Sequence, residues 1–205
     1  MITVFWVIFI KFADRIHNLK TLYALPPVKQ QRIARESLEI YAPIAGRLGM
    51  EEFKGELEDL SFPYVHPEEY EWIKNISEKK YEEQKRFTDK VGKIINKDLK
   101  ENSNVELIKI EGRAKRYYSL YQKTVRKEMN IDKVYDIVAL RIVVKTLEDC
   151  YTALGYIHKI WVPVKGRVKD YISQPKPNGY KSLHTTVFGP EGRITEFQIR
   201  TKEMH

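Results

Sequence analysis

A single cysteine, Cys150, occurs in 205 residues. One thiol excludes an intrachain disulfide and any cysteine-rich zinc site, and suits a reducing compartment. Cys150 falls where a helix would carry apolar side chains together with Leu147, Ala153 and Leu154, so core filling is its expected role. Long apolar runs are also missing. The opening MITVFWVIFI ends at Lys11, too short to span a bilayer, and it lacks the basic start and small-residue cleavage site of a secretory signal. No membrane role is expected. Phe5, Ile8, Phe9, Phe12, Ile16 and Leu19 recur at helical spacing, which predicts a buried helix deprived of neighbours, as if the chain began inside a domain. There is no internal repeat and no low-complexity tract.

With 42% hydrophobic and 31% charged residues, the chain is too apolar for a disordered tail and can bury one full core or two small ones. The formal net charge of +8 is unevenly spread: residues 1–104 hold 17 basic and 17 acidic side chains, and residues 105–205 hold 19 and 11. The positive field therefore belongs to the second half. Localised basic charge implies an anionic partner, either nucleic acid or smaller phosphorylated molecules, unless it is a generic solvated surface.

The first half reads as helices. After the Pro26-Pro27 break, apolar residues recur in helical fashion up to Pro43, then again through Phe53, Leu57 and Leu60 before Pro63, and a long connecting helix or helix pair is expected from 67 to about 100. Beyond Asn102 to Asn104, strands are expected at 105–110, 137–144, 183–188 and 193–200, with helices at about 114–128 and 146–160 between them. The expected class is α+β: a helical N-terminal region, then an α/β domain with a mixed sheet flanked by helices, its last two strands joined as a hairpin. The expected divisions are 1–62, a helical linker at 63–104, and 105–205.

Three constellations in the second half carry possible chemistry. In GRAKRYYSLYQKTVRKE, Lys115, Ser119 and Lys123 are spaced by four, which on one helix face would present two ammonium groups and a hydroxyl beside Arg113. Tyr118, Tyr121 and Val125 supply a separate packing stripe. Phosphates favour such a set, with backbone N–H groups at a helix start, and no acid lies between Gly112 and Lys127 to pair with it. Asp136 heads the apolar strand IVALRIVV, where a carboxylate is solvated, capping, or bound to a cation. On the last strand Glu196, Gln198 and Arg200 share one face, and Thr195, Phe197 and Ile199 the other. That pattern fits a hairpin with one solvated face or a face built for chemistry. Mg²⁺ takes one or two carboxylates and completes its shell with phosphates and water, so Asp136 and Glu196 form a candidate pair. Finally, KGRVKDYISQPKPNGYKSLH sets Lys165, Arg167, Lys169, Lys176 and Lys181 around Tyr171 and Tyr180, a mixture that stacks bases and pairs phosphates, while His184 is either structural or a contact to base or sugar.

GRAKRYYSLYQK, YDIVALRIVV, GRVKDYISQPKPNGYKSLHTTV and EFQIRTKEMH, in this order and at these separations, closely resemble the synthetase domain of the RelA/SpoT family, which makes the alarmones guanosine tetra- and pentaphosphate. The resemblance implies a nucleotidyltransferase-like fold, ATP and GDP or GTP as partners, Mg²⁺ as cofactor and a place in the cytoplasmic stringent response. It implies that Arg113, Lys115, Ser119 and Lys123 hold ATP and that Asp136 and Glu196 bind magnesium, with Glu196 drawing the proton from the attacking hydroxyl. Tyr180 would stack on guanine; Arg167, Lys169, Lys176, Asn178 and His184 would serve the acceptor nucleotide; Gln198 and Arg200 would support the site. Arg167, Lys169 and Asp170 match the R-x-K-D variant of the bifunctional branch. KFADRIHNLKTL resembles the last metal-binding segment of the family's HD-type hydrolase domain, with Asp14 and Asn18 in matching places, so 1–62 is expected to be a remnant of that domain. No histidine here is followed by aspartate, and alarmone hydrolysis is expected to be absent. DNA, ribosome and membrane partners are not expected, and a homo-oligomer is left open. The competing reading is a catalytically silent fragment that binds nucleotides or RNA.

Overall fold

A computed structural model describes the backbone of residues 2–131, 134 and 137–205, with side chains from residue 6 onward. It divides into two compact units, Met1–Ile76 with Arg116–Arg126, and Ser77–Lys115 with Lys127–His205.

The first unit is helical: α1 (Ile2–Lys20), α2 (Pro27–Glu36), α3 (Ala42–Arg47), α4 (Glu51–Val65), the start of α5 (Pro67–Asn102), and α6 (Tyr117–Val125). Phe12, Ile16 and Leu19 of α1 pack with Leu22, Ala34, Ala42, Ala45 and Leu57. Pro27 opens α2 at a position where the missing N–H costs nothing. Pro43 and Pro63, expected to end helices, do not. A π-helical turn at Ser37–Tyr41 leads into Pro43 in the first turn of α3, absorbing the hydrogen bond proline cannot make, and Pro63 sits within the last turn of α4.

The second unit is a five-stranded sheet in the order β1-β2-β5-β4-β3, formed by β1 (Leu107–Ala114), β2 (Val138–Val144), β3 (Lys169–Asp170), β4 (Leu183–Phe188) and β5 (Ile194–Thr201). β2 and β5 run parallel and the other pairs antiparallel, so the sheet is mixed and the β4–β5 hairpin is as expected. Helix α7 (Leu147–Ile160) starts with a reciprocal cap, Thr146 accepting from the Asp149 N–H while Asp149 accepts from the Thr146 N–H. Phe87, Val91, Ile95 and Leu99 of α5 and Cys150, Ala153 and Ile157 of α7 pack against Leu140, Ile142, Val144, Leu183, Val187, Phe197 and Ile199. Those strand residues share one face, so both helices cover that face and leave the polar residues on the other. Gly92 allows α5 to lie close: a Cβ there would meet Ile110 at 3.4 Å and Leu140 at 3.5 Å. Among the described residues, no helix is long and apolar enough to cross a membrane.

Three expectations are corrected. β1 begins and ends later than 105–110 and carries Arg113 within it; α6 starts at Tyr117 rather than 114; and β3 was not foreseen, because two residues show no periodicity.

Candidate active site

β5 places Thr195, Phe197 and Ile199 in the core and turns Glu196, Gln198 and Arg200 to the opposite face, where Arg200 is itself buried. Pairing extends this face across the sheet. Glu111 lies opposite Arg141, Arg141 opposite Gln198, Gln198 opposite His184, and His184 opposite Lys169, so one polar row crosses all five strands.

Gln198 ties this row to Glu196 by a hydrogen bond, and a second chain of hydrogen bonds ends at His184 beside it. Gln198 Nε2 donates to Glu196 Oε1 at 3.3 Å, and Gln198 Oε1 accepts from the Arg200 guanidinium at 3.5 Å. Arg200 also donates to the Tyr180 hydroxyl at 2.6 Å, and that hydroxyl lies 2.8 Å from His184 Nε2. With Arg200 donating to its oxygen, Tyr180 gives its own proton to Nε2, which places the imidazole proton on Nδ1, 3.6 Å from Glu196 Oε1. Glu196 Oε1 is therefore hydrogen-bonded by Gln198 and flanked by the neutral His184 ring just beyond hydrogen-bond reach, and Oε2 has no partner among the described residues.

The loop before β4 brings the aromatic rings to this face. In Lys-Pro-Asn-Gly, Gly179 N donates to Lys176 O at 2.8 Å, and Gly179 has a φ of 78°, a left-handed conformation natural to glycine. Asn178 Oδ1 accepts from Tyr180 N at 3.2 Å, turning the chain so that Tyr171, Tyr180 and His184 meet edge to face. The Lys176 ammonium lies 4.9 Å from the Tyr171 ring centre and 4.8 Å from that of Tyr180. Asp170 anchors the loop start, accepting from Ile172 N and Ser173 N at 2.9 Å and from the Tyr151 hydroxyl at 3.0 Å. Burial pushes its carboxyl up, but these hydrogen bonds, led by Ser173, hold it below the usual range.

The face is crowded with positive charge. Burial, then Lys176, Arg200, Lys169 and Arg113, push His184 down to about 4, so the ring is neutral. Burial followed by Arg113 and Arg200 depresses Arg141; burial, with a further push from Arg113, depresses Arg200 against the favourable pull of Tyr180. Guanidinium groups stay protonated, so their mutual repulsion is a free-energy cost that a bound anion would relieve. Among the described residues, the buried Nε atoms of Arg141 and Arg200 have no hydrogen-bond partner.

Among the expected residues, Lys169, Lys176, Tyr180, His184, Glu196, Gln198 and Arg200 gather around this face, and Arg113 acts on it electrostatically. Asn178 shapes the turn. Arg167 is exposed in the preceding turn, with no described side-chain partner. Asp136 lies outside the described residues. The helix-face reading of Lys115, Ser119 and Lys123 is corrected: Arg113 is on β1, Lys115 follows it, and only Ser119 and Lys123 ride on α6. The start of α6 is not open to phosphate, since Tyr118 N donates to Asp59 Oδ1 at 3.3 Å, and Arg116 pairs with Glu52 at 2.5 Å and Asp59 at 3.5 Å. Helix α6 packs through Tyr118 and Tyr121 on Phe62, as the aromatic stripe predicted, while Val125 is exposed and Leu120 and Thr124 are buried instead. Arg141 and Glu111 went unremarked in the sequence; an arginine in the middle of IVALRIVV was the available signal. On α1, Asn18 donates to Asp14 at 3.2 Å, and among the described residues no group of three or more His, Cys, Asp or Glu side chains is placed to hold a metal ion.

Residues 112–205 match the region found in RelA / SpoT proteins, and residues 1–51 match an HD domain. The chain is 46% identical over 198 residues to a probable chloroplastic GTP diphosphokinase, RSH3, of Arabidopsis thaliana, covering 97% of this chain and 27% of the relative. It is 47% identical over 202 residues to the bifunctional (p)ppGpp synthase/hydrolase RelA of Mycobacterium tuberculosis, again covering 97% of this chain and 27% of the relative. The chain thus spans about a quarter of the length of these curated relatives. Among solved structures, the small alarmone synthetase 1 of Bacillus subtilis bound to pppGpp is similar at a TM-score of 0.48 and 25% identity, covering 65% of this chain and 75% of that one. The motifs that line the polar sheet face fall within residues 112–205, and that segment matches the region found in RelA / SpoT proteins.

Proposed function

We propose that residues 105–205 form a magnesium-dependent GTP pyrophosphokinase domain, preceded by an HD-like helical segment at 1–62 and a linker at 63–104. It transfers pyrophosphate from ATP to the 3′-hydroxyl of GDP or GTP in the stringent response, and it works in the cytoplasm. The observation that carries this reading is the crowded cationic face around Glu196: Arg113, Arg141 and Arg200 press on one another where a polyphosphate would relieve them, beside a carboxylate with one oxygen uncommitted.

In this reading Arg113, Lys115, Ser119 and Lys123 hold ATP. Arg167, Lys169, Lys176, Asn178, Tyr180 and His184 hold the acceptor, with Tyr180 against the guanine. Gln198 and Arg200 fix the Glu196 carboxylate, which takes the 3′-hydroxyl proton. The 3′-oxygen bonds to the β-phosphorus of ATP, the bond to the α–β bridging oxygen breaks, and AMP leaves. Asp136 and Glu196 would hold Mg²⁺, for which Glu196 Oε2, without a partner among the described residues, is a fitting oxygen donor, and the ion would supply charge neutralisation for the transferring group. Alignment and charge neutralisation account for most of such catalysis.

The test supplies ATP, GDP and Mg²⁺ and looks for AMP formed in step with a 3′-pyrophosphorylated guanosine. Stoichiometric appearance of both supports the reading; binding of guanine nucleotides without either product removes it in favour of a silent binding fold.

A further inference from the structure

β1 is an outer strand of the sheet, bordered by β2 on one side only. Lys115 N donates to Ile137 O at 2.8 Å, and the register pairs Arg113 with Ala139 and Glu111 with Arg141. Antiparallel partners alternate between hydrogen-bonded and non-hydrogen-bonded pairs, so Glu111 and Arg113 spend their backbone groups on β2, while Ile110 and Gly112 turn theirs outward. Among the described residues nothing hydrogen-bonds to that outward edge. It borders a groove of about 420 Å³ whose other wall is α5, with Gly92, Lys93, Asn96 and Lys100 facing Ile108 and Ile110. Ile108 is 50% exposed. Beyond an irregularity between Leu107 and Lys109, the strand pairs with β2 in unbroken register from Lys109 to Ala114, and this regular outer segment is a template for another strand of the kind proteins commonly shield.

The side chains of this edge complement themselves. Two copies of the regular segment laid antiparallel about a twofold axis at Ile110 set Lys109 of each copy opposite Glu111 of the other, with Ile108, at the irregularity, on the border of the pairing. The axis then falls on an outward-facing residue, so Ile110 of each copy exchanges N–H and C=O with the other. An axis at Gly112, the next residue with outward groups, would oppose Lys109 to Lys115. Axes at Lys109 or Glu111 would oppose like charges and use backbone groups already spent on β2. Within one chain Lys109 Nζ reaches Glu111 Oε2 at 2.5 Å, so the paired strands would bring together four charges of alternating sign on one face.

We propose that β1 is a self-pairing edge, through which two copies of this chain join their sheets into one ten-stranded sheet about a twofold axis at Ile110.

Sedimentation equilibrium over a wide concentration range, with charge-swapped variants, tests this. The wild-type chain should pass from monomer to dimer as concentration rises. Lys109→Glu sets Glu opposite Glu, Glu111→Lys sets Lys opposite Lys, and each alone should weaken self-association about ten-fold or more. An equimolar mixture of the two variants should recover the dimer, since every cross-strand pair is again opposite in sign, and so should the double variant carrying both changes. Circular dichroism confirms folding; should Glu111→Lys fail to fold through loss of its contact with Arg141, Lys109→Glu alone still decides. A wild-type mass that stays monomeric at every concentration overturns the proposal, as does a dimer indifferent to Lys109→Glu, which would place the contact elsewhere on the molecule.

Discussion

The Arg116 guanidinium lies directly over Gly55, held there by Glu52 at 2.5 Å and Asp59 at 3.5 Å. A methyl group at position 55 would collide with Arg116 Nε and Cδ, and moving Arg116 aside breaks its pairing with Asp59, the same carboxylate that caps α6 through Tyr118 N. Gly55→Ala is therefore expected to destabilise the helical unit by about 1–3 kcal/mol, despite the higher helix propensity of alanine. In an Arg116→Ala background the penalty should shrink toward zero. Urea unfolding of the single and double variants measures this coupling, and a penalty unchanged by Arg116→Ala would separate the two residues.

Tyr180→Phe keeps the ring beside Lys176 but deletes the hydroxyl that links Arg200 to His184. Leaving a buried guanidinium and an imidazole nitrogen short of a partner should cost about 1–3 kcal/mol of stability. The shift in urea midpoint measures it; a variant as stable as wild type would mean that water replaces the hydroxyl fully.

Glu196→Gln is nearly isosteric and should fold normally, since Gln198 and Arg200 still bond one another. Loss of the base is expected to lower synthetase turnover about 100-fold or more while guanine-nucleotide binding persists. Steady-state product formation together with calorimetric binding checks both halves, and equal turnover in the variant would take Glu196 out of the chemistry.

Burial, with the Asp149 carboxylate adding to it, pushes the Cys150 thiol up to about 11. The folded state favours the neutral thiol, so its contribution is complete below the unfolded value near 8.5–9 and is lost as pH rises toward 11, amounting to about 2–3 kcal/mol across that window. Cys150→Ala should lose this part of the alkaline decline, seen as a smaller fall in urea midpoint between those pH values. In the native protein at neutral pH, an alkylating reagent should modify Cys150 only after unfolding.

Period-two alternation fixed the faces of β5, because a strand has only two sides and Glu196, Gln198 and Arg200 cannot be placed on the packed one without burying charge in the core. The same logic made the β4–β5 hairpin legible, and helical spacing did so for the core fill by Cys150. Arg141 was harder to recognise: seven apolar neighbours concealed it, and only pairing with Glu111 and Gln198 reveals it as part of the polar row. The spacing of Lys115, Ser119 and Lys123 misled for a different reason. A four-residue interval has meaning only inside a helix, and β1 runs on to Ala114 before α6 can begin.

The sequence by itself determined composition, the basic second half, the alternation along the strands and the ordered motifs, since these are local properties carried by covalent neighbours. Tertiary structure alone decided that Asp59 accepts a hydrogen bond from the α6 start, that Tyr180 bridges Arg200 and His184 while Gln198 bonds Glu196 Oε1, and that β1 is left as an edge. Those relations join residues far apart in the chain. Their distances come from sheet register and helix packing, which no interval along the sequence encodes.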